Sequence, residues 1–542
     1  MKLYRVGTCV LAVLASIQPA MAQFRETYHG LLTKQVSSAK LSEPQHLRDY
    51  VSDGKLRLSL KDAIRLVLEN NSDIRIKEAP VENAKFSLLR AYSPFDPLLQ
   101  NTTSVNRFSY PGFSEVQGEG TFDLLIHSNQ LNYTQTFQTG TNLLVGLGAT
   151  RNSSNSAFYF INPYYQSVFN LQLTQPLLRN RWRFENRAPL LIARKNLQQS
   201  RATFEAQVSD ALLRAVIEYW AVVQARGNLG VAQKSLEAAE ASYQHDKRAL
   251  ELGALPPLDI YRSESEVASR RVQVIQAEYT LKQVENDLRL TIGADQDTYA
   301  QALDLDLTEK PEPEGELRVI DAGTALQEAL TKRPELQAAQ HALDNDDTRI
   351  RLAQNHLQPD LSLAAIYQSN GIGGNQFSLT TGQLISRGGL GTSFSQLFGF
   401  GFPSYGAILT LNLPIKNRAA QAEVGTALVT RHSDLYFMQQ GREQIGLDVS
   451  NAVHQLELAK LTLAAGKTAL DLAQKSLAAE QRKYQLGAQS VFFQLDAQTR
   501  LALAEANLLQ AQINYQTAIA AVDRATGSLL QSYQVEISEL TR

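Results

Sequence analysis

The chain of 542 residues carries 52 lysines and arginines against 54 aspartates and glutamates, with a single cysteine. A balance so near neutral offers no footprint for nucleic acid, and one cysteine cannot build a disulfide framework. Beyond the first 22 residues there is no run of about 18 uninterrupted apolar residues, so no helix is expected to span a bilayer, although short alternating strands can do so in a closed barrel.

Residues 1–22 read as a Sec signal peptide, with Lys2 and Arg5, an apolar run over 6–17, and Ala20-Met21-Ala22 ahead of cleavage before Gln23. Cys9 lies inside it, too early for a lipid acceptor, so the exported chain is expected to carry neither disulfide nor lipid anchor. Residues 23–57 show no clear period and read as an extended surface segment. From Leu60 the pattern turns helical, with Ala63, Ile64, Val67 and Leu68 on one face, and continues to about Ala91 before Pro94 and Pro97. Alternation follows: Leu99, Thr103 and Val105 face opposite to Gln100, Ser104 and Asn106. A further alternating pair, 131–137 and 143–149, flanks the hairpin signal Thr139-Gly140-Thr141, and Phe169, Leu171 and Leu173 alternate with Asn170, Gln172 and Thr174 before Pro176. Such strands are long enough to cross an outer membrane at a tilt, whereas the plainer reading is a half-exposed antiparallel sheet in a soluble protein. The pattern leaves open whether the 131–149 pair joins a barrel or extends beside it.

A long helix is expected over 186–253. Val222, Leu229, Leu236, Tyr243 and Leu250 recur every seven residues, with Ala225, Ala232 and Ala239 three further on, which makes a coiled-coil seam ending at Leu252-Gly253-Ala254. A return helix over 257–292 leads to Glu309-Lys310-Pro311-Glu312-Pro313-Glu314-Gly315, an acidic, proline-rich connector expected near the middle of the rod. The chain then repeats itself. Residues 325–353 match 63–91 at an offset of 262, with Pro359 in the place of Pro97. Leu361, Leu363, Ala365 and Tyr367 mark one strand, and Leu409, Leu411 and Leu413, alternating with Thr410 and Asn412, mark another. A second long helix over 417–487 carries the seam again, at an offset of 234, as Leu456, Leu463, Leu470, Leu477 and Tyr484, and stops at Leu486-Gly487-Ala488 before a return over 491–526. Each long helix spans roughly 100 Å, and two shorter helices end to end match it on the way back. The expected organisation is an extended segment 23–57, a first repeat 58–293, a linker 294–323, a second repeat 324–527 and a C-terminal segment 528–542.

By order and spacing, LSLKDAIRLVLENNSDI from Leu58, LTQPLL from Leu173, ALELGALPPLDIYRSE from Ala249, TALQEALTKRPEL from Thr324, LNLPIKNRA from Leu411 and YQLGAQSVFFQLDAQ from Tyr484 resemble the TolC family of outer membrane factors. The resemblance covers nearly the whole chain after the signal. It implies a mixed α/β membrane channel: a homotrimer in the outer membrane of a Gram-negative bacterium, with four strands per protomer making a twelve-stranded barrel in outer-membrane lipid. That barrel would continue into a hollow periplasmic α-helical coiled-coil tunnel. The physics agrees, since an Ala-rich seam leaves helix flanks uncovered and four strands cannot close alone. The resemblance also implies docking of a periplasmic adaptor, and through it an inner-membrane transporter, on the tips Leu252, Gly253, Ala254 and Leu486, Gly487, Ala488. Asp496 falls where the family places an entrance aspartate, and Asp259 and Tyr484 fall at positions of the bonds that hold the tunnel shut. The sequence departs at Phe493, in the place of a second entrance aspartate, and at Gln489, in the place of a locking arginine. A weaker closed state is therefore expected, held by a neutral link and an apolar Phe493 constriction.

Other clusters read as structural. The histidines show no metal-ligand spacing, and Asp344, Asp346 and Asp347, lacking the glycine and closing glutamate of a calcium loop, read as a solvated helix face. Gly371-Ile372-Gly373-Gly374 reads as a flexible external loop, and Trp182, Tyr110, Phe158, Tyr159, Phe160, Tyr164 and Tyr165 suit the aromatic girdle of a barrel. No catalytic pair stands out, so no enzyme activity, metal or cofactor is expected. The expected function is a passive exit duct of a tripartite efflux or type I secretion system, and the competing class is a non-conducting coiled-coil scaffold of the periplasm or surface.

Overall fold

A computed structural model describes residues 46–111, 120–156, 159–252, 258–313, 315–486 and 488–535. The signal segment, residues 23–45, Phe158, Gly253, Ala254, Gly487 and the side chain of Asp259 lie outside the description. In chain order come β1 (Val51–Ser52), β2 (Lys55–Leu58), α1 (Leu60–Asn70), α2 (Ser72–Arg90), β3 (Leu98–Pro111), β4 (Thr121–Thr136), β5 (Asn142–Ser154) and β6 (Ile161–Pro176). Next are α3 (Arg183–Glu251), α4 (Asp259–Thr291), α5 (Thr298–Gln301), β7 (Asp304–Leu307), α6 (Ala322–Lys332) and α7 (Pro334–His356). The chain ends through β8 (Asp360–Phe377), β9 (Leu384–Ser386), α8 (Leu390–Phe398), β10 (Pro403–Asn412), α9 (Arg418–Gln485), α10 (Val491–Thr526) and α11 (Leu529–Ser532).

Local chemistry sets the helix boundaries. Ser59 starts α1 with a reciprocal cap: its hydroxyl accepts from the Asp62 amide at 3.2 Å, and the Asp62 carboxylate accepts from the Ser59 amide at 3.1 Å. The stretch 60–91, expected as one helix, is two, because Asn71 is extended and its side chain caps α2 by accepting from the Ile74 amide at 3.1 Å. The stretch 322–356 breaks as well, for another reason. Pro334 opens α7 and bars the helical conformation from Arg333, so α6 stops there. The two rods, α3 with 69 residues and α9 with 68, run without a break. α3 packs on α4, α2 and α7, α9 packs on α10, α6 and α7, and α10 also lies along α3, joining the halves.

The deepest core lies where the returning helices break. Leu58, Leu66, Val67, Leu212, Tyr219 and Leu288 are sealed from solvent around a small sheet in which β1 pairs with β2 and β7 joins β2 in parallel. The segment read as a linker thus contributes α5 and β7 to this layer. Burial pushes the Tyr219 hydroxyl pKa up; that hydroxyl donates to the Leu58 carbonyl at 3.2 Å and accepts from the Glu309 amide at 3.4 Å. In the second half the Tyr515 hydroxyl accepts from the Arg318 amide at 2.9 Å. A buried tyrosine from each half therefore holds one end of the connector.

Among the described residues, one antiparallel sheet holds six long strands in the order β10-β8-β6-β5-β4-β3, with the short β9 on the outer end of β8. Four long strands were expected. The two additional ones come from the 131–149 pair, which extends to full strand length and pairs along its whole run with β3 on one side and β6 on the other. Its turn is fixed from below: the Phe137 amide donates to the Thr141 carbonyl at 2.8 Å, and Gly140, at φ +81°, sits so close to Asn180 that a Cβ would come 2.8 Å from its carbonyl.

Two carboxyl groups on α7 titrate in opposite directions. Arg333, only 5 % exposed, grips Glu335 at 2.7 Å and Asp448 at 3.1 Å, and Arg524 links Glu335 at 2.9 Å to Asp210 at 2.6 Å, which ties α3, α7, α9 and α10 together. Burial opposes the Glu335 charge, yet the two guanidiniums hold its pKa down to about 2 from 4.5. Asp346, read in sequence as solvated, is instead buried beside the Asp434 carboxylate; burial first and that neighbour second push its pKa up to about 6 from 3.8. The depressed Glu335 contributes stability that is present above pH 4.5 and lost as pH falls toward 2, whereas the Asp346 penalty grows as pH rises from 3.8 through 6. Glu335→Gln should lower the Tm at neutral pH and flatten the acid limb of the profile. Asp346→Asn should raise the Tm at neutral pH by about a few degrees and leave it unchanged near pH 3. Circular dichroism melts of the detergent-solubilised protein across pH check both.

Candidate transport duct

The register of the sheet sorts its side chains into two faces. One cross-strand row, from β10 to β3, reads Tyr405, Tyr367, Leu171, Val145, Tyr133 and Leu99. The adjacent row, on the opposite face, reads Ser404, Gln368, Asn170, Gly146, Asn132 and Gln100. Gln172, Thr174, Thr410 and Asn412 share that polar face. A Cβ at Gly146 would come 2.9 Å from the Asn132 amide oxygen, so glycine here leaves the neighbouring amides room on the polar side.

On the apolar face, α8 lies across β8 and β6. The Ser393 hydroxyl donates to the Gly371 carbonyl at 2.9 Å and lies 2.5 Å from the Ser167 hydroxyl, and Ser369 donates to the Leu397 carbonyl at 2.8 Å. A Cβ at Gly371 or Gly373 would fall 2.0 or 2.1 Å from a backbone oxygen of that segment. These glycines, read in sequence as part of a flexible external loop, are strand residues that let a helix lie against the sheet. α8 turns Leu390 and Phe398 outward, and exposed aromatic residues gather at the strand ends, with Phe108 and Tyr110 stacked at 6.1 Å and Trp182 under the Arg181 guanidinium at 4.4 Å.

At the far ends of the rods the helices are held by polar links. The Tyr484 hydroxyl of α9 donates to Asp246 of α3 at 2.7 Å, and the Ser263 hydroxyl of α4 donates to the other oxygen of the same buried carboxylate. The His245 ring meets Tyr484 edge-on at 5.5 Å. The sequence reading paired Tyr484 in function with Asp259, which opens α4 thirteen residues beyond Asp246. Across the other pair of helices, Arg270 of α4 donates to the Thr499 hydroxyl of α10 at 2.5 Å while bound to Glu266 at 2.7 Å. Asp496 faces a groove shared with Tyr261, Arg262, Glu266 and Phe492 and pairs with Arg500 one turn on at 2.9 Å. Phe493 packs edge-to-face on Phe492 at 5.4 Å, both exposed, and Gln489 sits half-buried in the bend between α9 and α10. Leu252 and Leu486 stand 84 % and 78 % exposed at the two tips, with Ala488 exposed beside the second.

Sequence reading missed Asp246, Ser263 and Arg270, although one signal was present. Asp246 occupies the seam position filled by Ala225, Ala232 and Ala239, and Glu480 occupies the matching position after Ala459, Gly466 and Ala473. A carboxylate at the same apolar seam position in both long helices needs a partner.

Known proteins match this architecture. Over 302 residues, 55 % of this chain and 56 % of the relative, the sequence is 24 % identical to TtgC of Pseudomonas putida, a probable efflux pump outer membrane protein. Over 352 residues, 64 % of this chain and 66 % of the relative, it is 24 % identical to the outer membrane protein TolC of Escherichia coli. The aligned stretch with TtgC therefore spans just over half the length of that relative. In three dimensions the chain is similar to the Campylobacter jejuni CmeC outer membrane channel, with TM-score 0.63 at 15 % identity over 94 % of each chain. It is likewise similar to VceC of Vibrio cholerae, with TM-score 0.60 at 14 % identity over 86 % of this chain and 96 % of that one. The family profile described as "Outer membrane efflux protein" matches residues 142–294 and 325–528. The chain is thus an outer-membrane protein and belongs to the outer membrane efflux protein family.

Proposed function

We propose that three copies of this chain assemble into a passive exit duct, the outer-membrane part of a tripartite efflux or type I secretion system. It receives substrate from an inner-membrane transporter through a periplasmic adaptor. The observation that carries this reading is the two-faced sheet with open edges, fused to rods roughly 100 Å long. A scaffold of the periplasm would leave the row from Tyr405 to Leu99 facing water, whereas a membrane covers it. Heat-modifiable trimers in outer-membrane extracts and passive conductance in planar bilayers are the expected results; a soluble, non-conducting monomer would sink the duct and favour the scaffold.

The tips serve docking and gating in this reading. The chain reverses between α3 and α4 and between α9 and α10, where the sequence carries Gly253 and Gly487, a residue type that eases such turns, and the exposed Leu252 and Leu486 offer apolar contact to an adaptor. Gly253→Trp or Gly487→Trp should abolish export while trimers remain in the membrane, read by a substrate-efflux assay and heat-modifiable mobility.

Asp496, repeated three times about the axis, forms the entrance ring, and Phe493 narrows it. The Arg500 pair is largely exposed and contributes at most about 1 kcal/mol. Asp496→Ala should reduce cation preference and block by multivalent cations, and Phe493→Ala should raise conductance. Tyr484→Phe removes one donor from the buried Asp246 carboxylate, at a cost of about 1–3 kcal/mol to the closed arrangement. Its open probability should rise in single-channel recordings; wild-type behaviour in all three variants would place the gate elsewhere.

A further inference from the structure

We infer that the β4–β5 hairpin is part of the duct wall, so that three copies close an eighteen-stranded barrel in which β3 of one copy pairs with β10 of the next. The inference rests on the trimeric-duct reading above and extends it to the size of the exit. Four observations carry it. The strands β3, β4, β5 and β6 are 14, 16, 13 and 16 residues long, so the hairpin stands at the same height as its neighbours. The apolar and polar rows pass through it without changing face: Tyr133 and Val145 continue the row of Leu171, and Asn132 and Gly146 continue the row of Asn170. A wall with lipid on one side and water on the other uses both rows.

The hairpin is also pinned at the rim from which the rods depart. The Gln175 amide donates to the Thr139 carbonyl at 3.4 Å, and Gly140 is packed against Pro176, Asn180 and Asn186. Finally, the strand directions permit closure. β3, β5 and β8 run one way and β4, β6 and β10 the other, an even alternation, so β3 of one copy meets β10 of the next antiparallel. Backbone groups on those two edges have no partner strand within the chain among the described residues, and hydrocarbon offers them none. Barrel diameter grows roughly in proportion to strand number, so this exit is about half again as wide as a twelve-stranded one and admits correspondingly bulkier cargo.

Single cysteines at Asn132, Leu131, Asn170 and Leu171, in a Cys9→Ala background, test the inference by labelling of intact outer membranes with a membrane-impermeant maleimide. Heat-modifiable trimers serve as the check on assembly. Asn132→Cys should label on the order of tenfold faster than Leu131→Cys, the same contrast as Asn170→Cys against Leu171→Cys. Equal labelling on β4 with the contrast kept on β6 overturns the eighteen-stranded wall alone, whereas equal labelling on both strands overturns the duct reading itself. Oxidative cross-linking gives an independent result. Leu99→Cys should bond Tyr133→Cys, its neighbour across β3 and β4, and not Leu171→Cys, about 14 Å away across three strand spacings. Bonding of Leu99→Cys to Leu171→Cys instead would mean that the hairpin leaves the wall.

Discussion

The hydrogen-bonding groups along the free edges of β3 and β10 constrain the rest of the molecule. These edges run over 14 and 10 residues beside an apolar face, and each unsatisfied backbone group in hydrocarbon costs several kcal/mol. Association costs on the order of 4–15 kcal/mol in lost freedom, which a few such bonds already offset. In the proposed duct, closure by further copies then sets where every helix stands. α2 and α7 deliver the chain to β3 and β8, and α3 and α9 carry it away from β6 and β10. β4 and β5 feed no helix, so the hairpin changes the girth of the sheet without changing the number of rods beneath it.

A rod this long cannot be held by its seam alone, because alanine at every seventh position buries little area per turn. The break in the returning helices supplies the missing core. Where Asn71 and Pro334 stop one helix and start another, space opens for β1, β2, β7 and the connector, and the Tyr219 and Tyr515 hydroxyls accept from the connector's Glu309 and Arg318 amides. The Arg333–Glu335–Arg524 cluster works at the same level. Removing one member would leave its partners charged and uncompensated, which costs several kcal/mol, so the cluster specifies how four helices meet more than it adds net stability.

Periodicity made the long elements legible. The heptads of α3 and α9 and the alternation of β6, β8 and β10 each repeat one pattern many times, and repetition is what a sequence displays. Contacts between elements were not legible. The break at Asn71 depends on one side-chain cap, and a lone asparagine inside a helical pattern does not announce it. Gly371 and Gly373 looked like a loop because the helix that needs them, α8, lies some twenty residues further on. Asp346 looked solvated because its neighbour, Asp434, comes from another helix. At the tips, motif alignment led to Asp259, while the geometry joins Tyr484 to Asp246, a residue whose mark was its place in an alanine series.

Burial falls along the rods from the break in the returning helices to the tips, and this gradient says where movement begins. Val222, Leu456 and Leu463 are sealed, Tyr243, Leu250, Leu470 and Leu477 are half-covered, and Leu252, Leu486 and Phe492 are exposed. Local opening is easiest where few apolar contacts are lost, so if the proposed duct opens, its tips part before its middle does. The links found there suit reversible parting. Asp246 is held by two hydroxyl donors from different helices, bonds stronger than neutral ones yet replaceable by water once the helices separate. A purely apolar tip would instead expose unsatisfied surface on opening. Arg333 and Arg524 fix α3, α7, α9 and α10 to one another above these links, so in the proposed duct any realignment of the tips is confined to the helix ends beyond that knot.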